Sequence, residues 1–220
     1  MVFNPLSNSN SELLPLRLCA SALKKIHKRS PPPLSNSNSE LQLLMKHRIL
    51  LCVTGSIAAY KAAELVRLFV KNGDEVRVVM TPAACEFVSP LTFQTLSRNP
   101  VYVEEFNRPA EWRPEHISLA DCDFAVVAPA TANTIAKLRY GLADNLLTST
   151  LLATRAPIAI APAMNDGMWE NAVTRENIAA LEKRGVKIVA PGYGELACGT
   201  SGLGRMAEPE EIFKAVESLS

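Results

Sequence analysis

Three polar residues in this 220-residue chain sit where they can do chemistry: Asn165, Cys198 and His116. Asn165 lies in Ala161-Pro162-Ala163-Met164-Asn165-Asp166-Gly167-Met168-Trp169, directly after an apolar run at 156–161. A strand that stops at a proline and opens into a helix leaves its polar residues at the carboxyl edge of a sheet, where open α/β folds place ligands. The Asn165 amide offers a donor and an acceptor there, and Met164, Met168 and Trp169 can wall a pocket. The same asparagine also serves as an ordinary helix N-cap. Cys198 lies in Leu196-Ala197-Cys198-Gly199-Thr200-Ser201-Gly202-Leu203-Gly204-Arg205-Met206. Glycines at 192, 194, 199, 202 and 204 describe a loop able to open and close, as active-site lids do. A thiol on such a lid can donate a proton; otherwise it is incidental to a surface loop. His116 follows a proline-rich stretch, and the other histidines, His27 and His47, fall in or beside the N-terminal tail. A lone histidine is more often structural than catalytic, so its role needs support from elsewhere.

The elements that must position these residues alternate regularly. Residues 48–54 form a short apolar run, the mark of a strand buried on both faces. It ends at Gly55-Ser56, and helical spacing follows over 57–71, closed by Asn72-Gly73. Further strands are expected at 75–80, 124–128, 158–161 and 186–189, with a short one near 101–103. Helices are expected from Thr81-Pro82, where proline suits a first turn, and over 91–96, 131–139, 144–154, 170–184 and 209–219. Residues 99–115 read as mostly loop. Strands alternating with helices imply right-handed βαβ units. The predicted fold is a single doubly wound, flavodoxin- or Rossmann-like parallel sheet with helices on both faces, spanning residues 45–220.

Residues 1–44 differ. The nine residues at 5–13 recur word for word at 33–41, and a basic patch and a proline run lie between the copies. Two polar copies cannot stack into a repeat fold. Ser/Asn-rich sequence buries too little apolar surface to offset ordering entropy, so a disordered, dispensable tail is expected. A basic targeting peptide without a signal-type apolar region, or translation starting at Met45, are the alternatives.

Composition narrows the function classes. Nearly half the residues are apolar (48%), enough for a real core, and 23 Lys plus Arg against 22 Asp plus Glu argue against a general nucleic-acid binder. No apolar run approaches the roughly 20 residues of a membrane span. Five scattered cysteines (19, 52, 85, 122, 198) show neither metal-ligand spacing nor a disulfide framework, so no metal is expected and reduced thiols in the cytoplasm fit. Cys52 and Cys122 lie among core residues as small hydrophobes.

The first strand-to-helix turn, Thr54-Gly55-Ser56-Ile57-Ala58-Ala59-Tyr60-Lys61, has neither the GxGxxG of a dinucleotide site nor a P-loop. A glycine turn and a hydroxyl at a helix start can hold one phosphate, which suits FMN better than NAD or ATP. By itself the turn reads equally as Ser56 capping a helix. Ala130-Thr131-Ala132-Asn133-Thr134 ends another strand with small residues, hydroxyls and an amide, and Asp144 sits favourably at a further helix start. Three polar helix starts at one sheet edge exceed what capping requires.

Taken together and in order, Gly55 to Lys61, the His116 segment, Ala130 to Thr134, Ala143-Asp144-Asn145-Leu146-Leu147, Pro162 to Trp169 and Ala197 to Met206 resemble the flavin-containing cysteine decarboxylases. The resemblance runs from about residue 45 to the C-terminus. It implies FMN-dependent decarboxylation of 4′-phospho-N-pantothenoylcysteine to 4′-phosphopantetheine in coenzyme A biosynthesis, through a thioaldehyde and an enethiolate, with the cofactor doing the hard step. It implies His116 as the catalytic histidine and Cys198 as the acid of the reductive half. Asn165 would bind the substrate carboxylate, with Met168, Glu195, Leu196 and Ala197 also touching substrate. Gly55, Ser56, Ile57, Thr81, Thr131, Ala132, Asn133, Thr134 and Ala163 would line FMN. Thr81 precedes a proline where relatives often carry Ser/Thr. The family builds its site across homotrimer interfaces, sometimes stacked into dodecamers, which sets Asn165 and His116 from neighbouring subunits. Many bacterial relatives carry a C-terminal synthetase domain, so a chain ending at Ser220 is expected to need a separate synthetase. Three alternatives are a peptidyl-cysteine decarboxylase that stops at the enethiol, a flavin prenyltransferase, and a non-catalytic flavin-binding regulator. The 162–169 motif and the glycine lid speak against the prenyltransferase, and intact His116, Asn165 and Cys198 against the regulator.

Overall fold

The computed structural model describes residues 46–104 and 115–219. The tail at 1–44 with its duplicated segment and Cys19, the alternative start Met45, and residues 105–114 of the proline-rich stretch lie outside the described residues. Six strands form one parallel sheet in the order β3-β2-β1-β4-β5-β6. They are β1 (Arg48–Val53), β2 (Glu75–Met80), β3 (Val101–Tyr102), β4 (Phe124–Ala130), β5 (Ile158–Pro162) and β6 (Lys187–Ile188). The helices between them are α1 (Ala59–Asn72), α2 (Pro82–Cys85), α3 (Pro90–Ser97), α4 (Glu115–Ala120), α5 (Ala132–Tyr140), α6 (Leu146–Ala153), α7 (Asp166–Glu170), α8 (Ala172–Lys183) and α9 (Pro209–Glu217). This is the doubly wound architecture that the alternation predicts.

The apolar runs explain why the sheet is covered on both sides. Along β1, Ile49, Leu51 and Val53 join one core with α1, Phe93 of α3, and Ile212 and Val216 of α9. Leu50 and Cys52 join the other core, with Leu119 of α4, Ile135 of α5, Leu146, Leu147 and Leu151 of α6, and Ile178 and Leu181 of α8. Side chains alternate across a strand, so a strand with two buried faces must be apolar throughout. Each large aliphatic side chain buried this way contributes roughly 1.5–3 kcal/mol.

Strand order reverses between β1 and β4, and that is where the crevice of such a fold opens. Buried Thr54 links the two strand ends: its hydroxyl donates to the Pro129 carbonyl at 2.7 Å and accepts from the Thr131 amide at 3.1 Å. The Ala128–Pro129 peptide is cis, and β4 loses register with β5 between Val127 and Ala130.

Three elements differ from the sequence expectation. The glycine-rich loop is an antiparallel hairpin, β7 (Gly192–Glu195) with β8 (Ser201–Arg205). The helix expected over 170–184 is broken at Asn171, whose side chain caps α8 by accepting from the Val173 amide at 2.9 Å. A short helix, α4, carries His116 where no element is expected between the loop ending at residue 115 and the strand at 124–128. Among the described residues no helix is long and apolar enough to cross a membrane.

Candidate active site

The end of β5 carries the site. Ala163 donates its amide to the Ala130 carbonyl at 3.1 Å, keeping the chain in line with β4 past the strand's end. Met164 donates to the Gly204 carbonyl at 3.0 Å, which joins this strap to the hairpin. Asn165 then caps α7: its side-chain oxygen accepts from the Gly167 amide at 2.9 Å. Capping consumes the carbonyl oxygen, so the amide NH2 is what Asn165 presents outward. It reaches the Cys198 sulfur at 3.6 Å. The capping and the ligand-facing readings of Asn165 thus describe two ends of one side chain.

The hairpin brings Cys198 there. Its tip is a tight turn in which Leu196 donates to the Thr200 carbonyl at 2.8 Å and Gly199 to the Leu196 carbonyl at 2.9 Å. Gly199 has φ +82°, a left-handed conformation that favours glycine. The Cys198 sulfur shares a hydrogen bond with the Thr200 hydroxyl at 3.0 Å. Bonding to that hydroxyl, then to the Thr200 backbone, with the Asn165 amide adding, holds the thiol below the ordinary thiol range. Burial pushes the Cys52, Cys85 and Cys122 thiols the other way. Among the described cysteines, Cys198 alone is both exposed and acidified, the combination expected of a working thiol.

The glycines of the hairpin are there for contact as much as for movement. A Cβ on Gly202 would stand 2.7 Å from the Asp166 side chain, and one on Gly204 would collide with the Met164 carbonyl. β8 therefore lies directly on the strap, and side chains at these two positions would lift it off.

Hairpin, strap and the start of α1 enclose a cleft of about 580 Å³, within the usual range of ligand sites. Ser56, Ile57, Ala163, Asn165, Glu195, Leu196, Ala197 and Cys198 line it, and so does Met164. Thr131, Ala132, Asn133 and Thr134 do not; they form the first turn of α5 at the adjoining end of β4. There Thr131 caps the helix and its hydroxyl meets those of Thr134 at 3.2 Å and Thr54 at 3.5 Å. Gly55 packs against the next turn, where its Cβ would come within 2.6 Å of Ala83. Thr81 caps α2 in that turn. Met168 is half exposed on α7 outside the cleft, and His116 on α4 does not line it. Trp169 is not a pocket wall; it is buried in the α5–α6–α8 core, with Arg175 5.0 Å over its ring.

Three residues escaped the sequence reading: Thr54, Lys61 and Glu208. Lys61 is buried in α1, lines the cleft and donates to Glu208 at 2.9 Å. A lysine one turn before buried Leu65, inside an apolar stripe, was the available signal, because a buried charge requires a partner. No group of His, Cys, Asp and Glu able to hold a metal occurs among the described residues.

A parallel sheet with its crevice at the strand reversal, roofed by a thiol-bearing hairpin, defines a doubly wound α/β protein built to enclose a small ligand. The chain belongs to the Flavoprotein family, which it matches over residues 37–220, and within it groups with the phosphopantothenoylcysteine decarboxylases. It is 47% identical over 176 residues to a probable phosphopantothenoylcysteine decarboxylase of Streptococcus mutans, covering 79% of this chain and 98% of that one. A solved PPC decarboxylase, a Cys-to-Ser variant complexed with pantothenoylaminoethenethiol, superposes with a TM-score of 0.69 at 34% identity, over 78% of this chain and 96% of the other. The FMN-binding protein AtHal3 gives a TM-score of 0.69 at 35% identity, over 79% and 96%. The chain also matches bifunctional coenzyme A biosynthesis proteins, at 49% identity over 176 residues in Bacillus subtilis, and spans only 43% of that relative's length.

Proposed function

We propose that this protein is an FMN-dependent decarboxylase that converts 4′-phospho-N-pantothenoylcysteine to 4′-phosphopantetheine in coenzyme A biosynthesis. The observation that carries this reading is the meeting of the Asn165 amide and the acidified Cys198 thiol in the roof of the cleft. An N–H donor for a departing carboxylate then stands beside an acid for the carbon it leaves.

The residues at the sheet edge suit FMN. The glycine turn before α1 places Ser56 and Ile57 at the cleft. The amides of Ser56, Ala58, Ala59 and Lys61 are bonded within that turn, and the Ser56 hydroxyl, which accepts from Ala58, keeps its own proton to donate to one phosphate. Ala163 and the Thr131–Thr134 turn, with Ala132 and Asn133, offer small and hydroxyl-bearing surfaces for a flat ring. Gly55 and Thr81 shape the two turns behind. Bound flavin supplies a two-electron oxidation at the substrate's sulfur-bearing carbon and its later reversal.

The chain's own residues do the rest. Asn165 orients the carboxylate through its NH2 while its carbonyl stays tied to Gly167. Cys198 protonates the carbon that carried the carboxylate, and a thiol held below the ordinary thiol range is a better donor than an ordinary one. The hairpin, with Glu195, Leu196 and Ala197, closes the cleft against water. His116 completes the site from a neighbouring subunit of at least a homotrimer. That arrangement is supported by its position outside its own chain's cleft and by half-exposed apolar residues beside each part, Ile117 on α4 and Ile57 and Tyr60 at the cleft mouth. A cytoplasmic location goes with this pathway.

Mass spectrometry of products after incubation of the FMN-loaded protein with 4′-phospho-N-pantothenoylcysteine tests the reading. Phosphopantetheine is the expected product. Enethiol that is never reduced would move the protein to the oxidative peptidyl-cysteine type, and unchanged substrate would remove the activity altogether.

A further inference from the structure

One wall of the cleft carries charge that the chemistry above does not use. Arg205, at the end of β8, donates from Nη2 to Glu208 Oε1 at 2.9 Å. Lys61 of α1 donates to the same oxygen at 2.9 Å and to the Met206 carbonyl at 3.4 Å. Hydrogen bonding from Lys61, with help from the charge of Arg205, holds the Glu208 carboxyl below the usual carboxylate range, so it is ionised at neutral pH. Two cations on one carboxylate leave a net positive charge. Both cations line the cleft, where the remaining charged side chain is Glu195 on the facing strand.

The two cations are not equivalent. Lys61 is almost fully buried and has spent two of its three N–H donors. Arg205 is half exposed, and of its five N–H donors it spends one, on Glu208. Its guanidinium lies along Gly194 of β7, where a Cβ would stand 3.4 Å from Nη1 and 3.6 Å from Cδ. A larger residue at 194 would push it aside. Arg205 is thus held by a carboxylate on one side, given room by a glycine on the other, and lines the cleft with most of its donors unspent. That is the geometry that phosphate recognition uses.

We propose that Arg205, aimed by Glu208 and backed by Lys61, binds the terminal phosphate of the substrate while Asn165 and Cys198 address its carboxylated end. The assignment rests on the function proposed above, whose substrate carries its two anionic groups at opposite ends. Along β8, Arg205 stands roughly 13 Å from Ser201 beside the tip, at about 3.3 Å per residue, while the strap that carries Asn165 crosses the strand at Gly204. Glu208 is a positioning residue in this scheme and touches no substrate.

The experiment compares FMN-loaded wild type with Arg205→Gln on two substrates, 4′-phospho-N-pantothenoylcysteine and its dephosphorylated counterpart. A lost charge-assisted contact raises KM for the phosphorylated substrate by about 10- to 100-fold, leaves kcat nearly unchanged and leaves the dephosphorylated substrate unaffected. Equal losses on both would overturn the assignment and make Arg205 a support of the hairpin. Weakened FMN retention with an undiminished preference for phosphate would overturn it as well, placing the cation at the flavin. Calorimetric binding of 4′-phosphopantetheine against pantetheine decides the point independently of turnover. Wild type should prefer the phosphorylated form and Arg205→Gln should not; a preference that survives the substitution refutes the proposal. If wild type turns over neither substrate, the proposed activity fails, and the calorimetry still rules on Arg205.

Discussion

Asn165 shows how one side chain serves fold and site together. Its oxygen ends a strand-to-helix turn and its nitrogen meets a sulfur that the sequence places 33 residues away. Cys198 owes its acidity first to Thr200, so Thr200→Val removes the main group favouring the thiolate. The folded-state pKa then rises, and the midpoint of iodoacetamide labelling against pH moves upward, with slower labelling at neutral pH. An unchanged labelling profile would show that Thr200 does not control the thiol. Both Asn165 and Cys198 were legible in the sequence, because a polar residue after an apolar run and a thiol among glycines stand out locally. Glu208 was not. Its partner Lys61 lies 147 residues away, and a glutamate opening a helix reads as an ordinary capping residue, which it also is.

The hairpin is where local reading falls short among the elements. Gly192-Tyr193-Gly194-Glu195 has no apolar alternation and few β-formers, so it reads as loop. Its strand character comes from pairing with 201–205 and from resting on the strap. The glycines that suggest mobility in the sequence are those that let β8 touch Asp166 and Met164. Gly204→Ala should therefore cost about 1–3 kcal/mol by overpacking, lowering Tm by roughly 2–4 °C per kcal/mol. It should also unseat Cys198, with decarboxylation falling more than stability alone requires. Wild-type Tm and activity together would show that the hairpin does not need this contact. The break at Asn171 was missed for a related reason. Apolar spacing continues through it, and only the capping bond to Val173 marks a new helix.

At the scale of the whole molecule, the order β3-β2-β1-β4-β5-β6 gathers the ends of β1, β4 and β5 on one edge, so motifs scattered through the chain become one neighbourhood. His116 is the residue this neighbourhood leaves out within a single chain. If neighbouring subunits share the site, mixing inactive His116→Asn and Asn165→Asp variants and allowing subunits to exchange should restore part of the activity. Some interfaces would then pair an intact histidine with an intact asparagine. No recovery, in a mixture shown by native mass spectrometry to contain hybrid oligomers, would place both residues in one subunit's site.

The sequence by itself determined the doubly wound sheet, its two-faced core and the position of Asn165 at a strand end, since strand burial, helical spacing and turn residues are short-range properties of the chain. Only the tertiary structure decided that the glycine loop is a hairpin seated on the strap, that Asn165 turns its nitrogen toward Cys198, and that Lys61 and Arg205 converge on one carboxylate. Each of these depends on groups brought within hydrogen-bonding distance from distant points of the chain, and residue spacing carries no record of that convergence.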